Sequence, residues 1–94
     1  MLILITYDVA TLTKAGARRL RRIARACLDY GQRVQNSVFE CRVDERQWVL
    51  LRDRLLTEMK ADEDSLRFYF LDRDTRIEHH GIGQPIDFEA PIIF

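Results

Sequence analysis

The first eight residues, Met1 to Asp8, constrain the fold more than any other stretch of the chain. They read MLILITYD, so a run of apolar and β-branched residues ends in a tyrosine and an acid. A strand that is apolar on both faces is typical of the buried centre of a sheet. We therefore predict that this segment is a central strand, and that Asp8 at its C-terminal end is the first candidate for chemistry.

The charges of the chain are divided unequally between its two halves. The 94 residues predict one domain, and the formal net charge is zero, which argues against binding of polyanions through overall charge. Through Val43, however, eight Lys and Arg stand against three Asp and Glu, whereas from Asp44 onward seven stand against twelve. The asymmetry favours a localised basic surface, although ordinary segregation of charge on helices explains the count equally well.

Two further features of the sequence indicate the cellular compartment of the protein. Cys27 and Cys41 have no metal-binding or redox spacing, so we interpret them as small buried residues of a cytosolic protein. The apolar start is too short to span a membrane, and it lacks the basic region and cleavage site of a signal peptide. We expect a cytoplasmic protein with no membrane partner.

Hydrophobic periodicity predicts the order strand, helix, strand, helix, strand, strand. The predicted elements are a strand at 1–8, a helix at 14–30, a strand at 32–43, a helix at 45–60 and strands at 65–71 and 76–82. Gly31 is expected just beyond the first helix, Asp44 is expected to cap the second, and the alternation of the second strand slips at Gln35 and Asn36.

This order suits a split βαβ or ferredoxin-like sandwich, and we predict an α+β fold of the ferredoxin-like βαββαβ type, with the number of strands between the helices left open. Two helices cover only one face of the sheet, yet the first strand is apolar on both faces, so a second copy of the chain is expected to cover the open face as a homodimer. We predict a ferredoxin-like domain over residues 1–83. Residues 84–94 form a tail whose apolar end is expected to add a strand to a sheet edge, either its own or the partner's.

Asp8 has two interpretations. As a turn residue it would accept hydrogen bonds from the backbone of the next loop, and its position alone favours this interpretation. In a dimer through the open face, a two-fold axis near the strand end would bring two Asp8 carboxylates together. Such a pair suits Mg²⁺, which needs few carboxylates and could support phosphodiester cleavage.

The first helix carries arginines opposite its apolar stripe of Leu20, Ile23, Ala24, Cys27 and Leu28. Arg18, Arg21, Arg22 and Arg25 occupy the polar side, with Arg19 at its margin, and no acid occurs between Asp8 and Asp29. A solvated face is the ordinary explanation, but exposed faces usually mix both signs of charge. We favour contact with nucleic-acid phosphates, independent of base sequence.

Other candidate sites are weaker. Adjacent residues on a strand point to opposite faces, so His79 and His80 are not expected to chelate one ion together. Ser37 has no His and Asp in the order of a catalytic triad, and the chain has no glycine-rich phosphate loop.

The chain resembles the CRISPR-associated protein two family, the smaller of the two core spacer-acquisition proteins. The resemblance rests on the apolar strand ending in Tyr7 and Asp8, on the arginine-bearing first helix, and on the segment GQRVQNSVFE at 31–40, and it spans residues 1–83. It implies a homodimer whose C-terminal strand crosses to the partner sheet, and a metal-dependent endonuclease acting on RNA or double-stranded DNA.

The resemblance also implies roles for individual residues. Asp8 matches the metal ligand near the dimer axis, and Tyr7, Ser37 and Phe39 match positions associated with the catalytic site. The residues implied or predicted to contact nucleic acid are Arg18, Arg19, Arg22, Arg25 and Arg33. The family further implies a CRISPR integrase as partner, for which the dimer could serve as a non-catalytic DNA-binding scaffold. Toxin-type endoribonucleases resemble the same dimer and are a third alternative.

Overall fold

The computed structural model describes residues 1–9 and 13–82. Its elements are β1 (Leu2–Asp8), α1 (Lys14–Leu28), β2 (Gly31–Gln35), β3 (Val38–Arg42), α2 (Glu45–Glu58) and β4 (Ser65–Leu71). The strands form one antiparallel sheet in the order β2-β3-β1-β4. Because β3 lies between β1 and β2, the crossover through α1 is a split βαβ unit. The α+β, ferredoxin-like fold predicted from the sequence is confirmed.

β1 is central in the sheet, as predicted, with β3 on one side and β4 on the other. Ile3, Ile5 and Tyr7 are buried in one core cluster with residues of α1 and α2, so they define the helix-covered face. Leu2, Leu4 and Thr6 alternate with them and are only partly buried on the other side, which we call the open face. Both described helices therefore pack on one side of the sheet.

α1 is rotated relative to the orientation that the sequence predicts. Ile23, Ala24 and Cys27 are buried as expected, but Leu28 is 47% exposed and Ala26 is fully buried. The buried stripe is thus displaced toward the side of Ala26 and Arg19. α1 packs against α2, β2 and β3, and the periodicity of one helix cannot reveal which of its sides such neighbours cover.

The helix also ends earlier than predicted. α1 stops at Leu28 with Asp29 as its C-cap, and Gly31 is the first residue of β2 rather than the residue that ends the helix. Glycine is needed there because β2 and β3 approach closely. A Cβ built on Gly31 would lie 2.6 Å from Cα of Cys41, and it would overlap the carbonyl oxygen of Glu40.

The predicted strand at 32–43 is wrong as a single element, because the chain reverses at Asn36 and Ser37 to form the hairpin of β2 and β3. The predicted irregularity is present beside the turn, as a register shift between Arg33 and Gln35. No non-glycine residue in the described part of the chain has a positive φ. The turn residues are Asn and Ser rather than the Asn-Gly pair that marks many two-residue hairpins, so only the break in alternation indicates the turn in the sequence.

α2 begins as predicted. The Asp44 carboxylate accepts from the Gln47 N–H at 2.7 Å and the Gln47 side chain accepts from the Asp44 N–H at 2.9 Å, which is a capping box. Trp48, Leu51 and Leu55 are buried on the predicted side. The Trp48 ring contacts Phe68 of β4 edge-on, at a centroid distance of 4.8 Å, and this contact fixes the helix over the sheet.

The prediction of a strand at 76–82 is wrong. Residues 72–82 contain no strand, and they pair with none of the strands in the described part of the chain. The tail at 84–94 and its predicted docking lie outside the described residues. Neither α1 nor α2 combines the length and the apolar character that a membrane crossing requires.

Candidate active site and nucleic-acid interface

Asp8 is exposed at the end of β1, where three strands and a turn meet. It lies directly opposite Ser65 of β4, while Thr6 lies opposite Arg67 of β4 and Val38 of β3. The residues around Asp8 line a cleft of about 290 Å³. They are Thr6, Tyr7, Asp8, Ser37, Ser65, Arg67 and Tyr69.

The β2–β3 turn is fixed to this cleft by the backbone of β1. The Tyr7 N–H donates a 2.9 Å hydrogen bond to the carbonyl oxygen of Ser37. Ser37 is one of the predicted site residues, and the structure places it in the cleft with Asp8. The cleft thus combines one carboxylate, one guanidinium and several hydroxyl groups.

The Tyr7 side chain points away from Asp8, because successive residues of a strand project to opposite faces. It is 1% exposed, and its hydroxyl donates a 2.6 Å hydrogen bond to the buried carboxylate of Asp64. Burial, reinforced by Asp64, raises the pKa of Tyr7 far above its usual range. Tyr7 is a predicted catalytic residue, but its hydroxyl lies on the helix-covered face and is already bonded.

Asp64 connects β1, α1 and the start of β4. Its carboxylate accepts from Nε of Arg19 at 2.8 Å, from a second Arg19 nitrogen at 3.1 Å, and from the Lys60 N–H at 2.9 Å. Burial alone would raise the pKa of Asp64. Hydrogen bonds from Arg19, Tyr7 and Lys60 outweigh that effect and lower the pKa to about 2. Asp64 is therefore a charged, fully bonded group inside the fold.

Arg19 consequently does not belong to the exposed arginines, although phosphate contact is predicted for it from the sequence. Only 13% of its side chain is exposed, and it also pairs with Glu63 at 3.0 Å. Its bidentate contact with Asp64 uses the fork that phosphate binding would require. Arg19 holds the turn before β4 against α1.

Phe39 is also separated from Asp8. It is fully buried opposite Ile5 on the helix-covered face, and the guanidinium carbon of Arg33 lies 5.2 Å from the centre of its ring. Phe39 is another predicted site residue, yet its side chain supports Arg33 through a cation–π contact rather than lining the cleft.

The remaining arginines form a groove of about 680 Å³ along α1 and β2, which we call the arginine groove. Its lining residues are Arg18, Arg21, Arg22, Ala24, Arg25, Leu28, Asp29 and Arg33. Asp29 is already paired with Arg54 at 2.7 Å, and Arg22 is 59% exposed and 3.7 Å from Glu58. The predicted residues Arg18, Arg22, Arg25 and Arg33 are thus brought together, and the surface stays strongly basic.

A metal ion would find few ligands in one protomer. In the ranges 1–9 and 13–82, no group of three or more His, Cys, Asp or Glu side chains could hold one. Asp8 offers one carboxylate, and hydroxyl oxygens lie nearby on Thr6, Ser37 and Ser65. Hard oxygen donors suit Mg²⁺, which often keeps several waters and uses only one or two carboxylates. The donors fit Mg²⁺ if water, substrate or a second protomer completes the coordination.

Sequence reasoning missed Arg67, Ser65 and Asp64. The alternation of β4 places Arg67 and Ser65 on the same face as Tyr69, but the sequence does not reveal that this strand pairs with β1. No sequence pattern marks Asp64 as a buried, hydrogen-bonded residue, since an acid before a strand is ordinary.

Most of the chain matches one known protein family. A family model described as CRISPR associated protein Cas2 matches residues 1–77. The chain belongs to the Cas2 family. The resemblance noted from the Tyr7–Asp8 pair and the segment at 31–40 is therefore confirmed.

Similar proteins agree with this assignment. The chain is 60% identical to a CRISPR-associated endoribonuclease Cas2 of Chlorobaculum tepidum, with 99% of each chain covered. It is 51% identical to a CRISPR-associated endonuclease Cas2 of Halalkalibacterium halodurans, with 100% of each covered. Among solved structures, Streptococcus pyogenes Cas2 at pH 6.5 superimposes with a TM-score of 0.79 and 49% identity, covering 86% of this chain and 100% of the other.

Proposed function

We propose that this Cas2-family protein is a cytoplasmic, metal-dependent endonuclease that hydrolyses phosphodiester bonds at the Asp8 cleft. The observation that carries the proposal is the exposed Asp8 carboxylate at the end of a central strand, in a cleft with hydroxyl groups and a guanidinium. The names of two relatives, an endoribonuclease and an endonuclease, support this class of reaction.

The active form in this proposal is a homodimer through the open face. The partly exposed apolar side chains Leu2, Leu4, Val38 and Leu71 support it, because they lie on the face that neither described helix covers. A two-fold axis near the end of β1 would bring two Asp8 carboxylates to one site.

The residues have separate tasks in this site. The Asp8 carboxylates would hold the cation, and the hydroxyl groups of Thr6, Ser37 and Ser65 would orient water around it. A bound Mg²⁺ would supply an activated water and stabilise the leaving oxygen. Tyr7 acts from the helix-covered face, where its bond to Asp64 keeps the end of β1 in place.

The test is the substitution Asp8→Asn, which keeps the shape of the side chain and removes its charge. Two probes are used with Mg²⁺, a labelled 30-nucleotide RNA and a 30-base-pair DNA duplex. We expect cleavage to fall by about 100-fold or more while native mass spectrometry still reports a dimer. Asp72→Asn is the matched control, since Asp72 is an exposed acid beyond the far end of β4. Wild-type cleavage rates in Asp8→Asn would overturn the proposal.

A second candidate function is supported by the arginine groove. Its arginines lie on α1 and β2, whereas Asp8 projects from the open face, so the arginine groove would bind nucleic acid even where the Asp8 cleft cleaves nothing. In this candidate the dimer is a DNA-binding scaffold for the CRISPR integrase, and the Asp8→Asn variant retains full DNA affinity. Loss of cleavage without loss of binding would be compatible with both functions. A wild-type protein that binds duplex DNA but cleaves neither probe would favour the scaffold.

A further inference from the structure

We propose that Arg67 is a further residue of the Asp8 cleft, and that its guanidinium binds the phosphodiester group next to the cation held by Asp8. This inference rests on the proposed function, because it assigns the substrate-binding group of that site. The substrate class is a nucleic-acid strand, and RNA and DNA share the phosphodiester group that Arg67 would recognise.

The register between β1 and β4 places Arg67 beside Asp8. Arg67 lies directly opposite Thr6, and Ser65 lies directly opposite Asp8. Directly opposite residues project to the same face, and Thr6 and Asp8 share the open face, so Arg67 and Asp8 are diagonal neighbours on it. Diagonal neighbours lie roughly 7–8 Å apart, within reach of a long side chain. The cleft is lined by both residues.

The guanidinium of Arg67 is not committed to a carboxylate. Among the described residues, its hydrogen-bond partner is the Tyr69 hydroxyl at 3.3 Å, and no ion pair joins it to Asp8 or to another acid. Arg19 provides the contrast, because its fork is fully used by Asp64. Arg67 therefore retains the donors that a phosphate would need, and Tyr69 holds the side chain at the wall of the cleft.

The chemistry of cleavage needs a positive group at this place. Hydrolysis of a phosphodiester increases the negative charge on the oxygens around phosphorus, and a cation at Asp8 contacts only part of that group. A planar guanidinium binds two phosphate oxygens at once, which orients the phosphate as well as neutralising it. The cation and Arg67 would thus hold the same phosphate from two sides of the cleft.

The experiment compares binding and cleavage in the full-length protein. Binding of the 30-base-pair duplex and of the 30-nucleotide RNA is measured by fluorescence anisotropy at several salt concentrations, with Asp8→Asn as background so that no probe is cut. Adding Arg67→Ala should weaken binding about tenfold and reduce the salt slope for the duplex by about 0.9, since one arginine no longer neutralises a phosphate. Cleavage is measured separately in protein that retains Asp8, where Arg67→Ala should reduce the cleavage rate about 100-fold.

Two variants serve as controls. Arg52→Ala removes the same charge from the exposed surface of α2, in the helix layer on the other side of the sheet, and should change neither binding nor cleavage. Arg67→Lys keeps the charge but loses the fork, so it should retain the salt slope and still lose most cleavage. This variant also keeps the inference testable if Arg67→Ala does not fold, which circular dichroism reports.

The outcomes separate the two proposals. If Arg67→Ala and Arg52→Ala bind and cleave alike, the assignment of Arg67 is overturned while the nuclease proposal stands. If the wild-type protein cleaves neither probe, the nuclease proposal fails, and the binding difference still decides whether Arg67 contacts phosphate. If Arg67→Ala loses more affinity for the RNA than for the DNA duplex, Arg67 contacts phosphate and RNA is the nucleic acid that enters the cleft.

Discussion

The Tyr7 hydroxyl donates a 2.6 Å hydrogen bond to the carboxylate of Asp64, 57 positions later in the chain. Because of this bond, the side chains of Tyr7 and Asp8 lie in different environments. Asp8 faces the cleft on the open face, whereas Tyr7 anchors the end of the same strand to the turn before β4. We therefore expect substitution of Tyr7 to affect stability and substitution of Asp8 to affect cleavage.

Tyr7→Phe should reduce stability and leave the chemistry of the cleft intact. The variant keeps the ring in the core and removes one hydrogen bond to a charged acceptor, which costs about 2 kcal/mol in the free energy of unfolding. Urea denaturation followed by circular dichroism measures this cost. At a temperature where the variant is folded, we expect cleavage and nucleic-acid affinity within about twofold of wild type. A complete loss of cleavage in a folded variant would contradict the positioning role.

Asp64 should make folding sensitive to acid. Its folded pKa is about 2, below the ordinary value of 3.8, so the unfolded chain takes up the proton first as the pH falls. This lowered pKa of Asp64 contributes about 2 kcal/mol to the free energy of unfolding. The contribution is fully present well above pH 4 and is lost as the pH falls through about 4 toward 2. Urea midpoints at about pH 7 and pH 3 should differ more in wild type than in Asp64→Asn. Equal differences in the two proteins would show that another carboxyl group dominates the acid response.

Arg18 and Arg19 are neighbours in sequence but should give opposite phenotypes. Arg18→Ala removes an exposed charge of the arginine groove, so it should weaken duplex binding, lower the salt slope by about 0.9, and leave stability unchanged. Arg19→Ala leaves the buried Asp64 charge without its main partner, and should cost about 3 kcal/mol of stability. Salt-dependent anisotropy and urea denaturation of both variants provide the comparison. An unchanged salt slope in Arg18→Ala would show that the groove is not the contact surface.

Gly31→Ala should disrupt the β2–β3 hairpin. The added Cβ would overlap the backbone of Glu40 and Cys41, and backbone atoms cannot move aside without loss of strand pairing. We expect a loss of about 3 kcal/mol or more, measured by thermal or urea denaturation. Gln35→Ala, at an exposed position of the same strand, is the control and should change stability little. Wild-type stability in Gly31→Ala would mean that the two strands lie farther apart than the structure shows.

The elements that can be predicted from the amino-acid sequence are those whose signals are local. The apolar character of both faces of the first strand predicts the central position of β1. The Asp44 and Gln47 pair indicates the start of α2. Helical periodicity identifies most of the buried residues of both helices. Family membership was also readable, because the segment at 31–40 is contiguous. These features depend on residues a few positions apart, and their spacing is set by helix and strand geometry alone.

Contacts between side chains that are distant in the sequence depend on how the elements pack. The turn at Asn36 and Ser37 contains no residue with a positive φ, so the boundary between β2 and β3 could not be located from the sequence, although the fold class could. The contacts of Asp64 with Tyr7 and Arg19 join residues at least 45 positions apart, and the register that puts Arg67 beside Asp8 joins two strands separated by two helices. Such contacts arise when elements pack, because burial, charge pairing and strand register are properties of the assembled sheet.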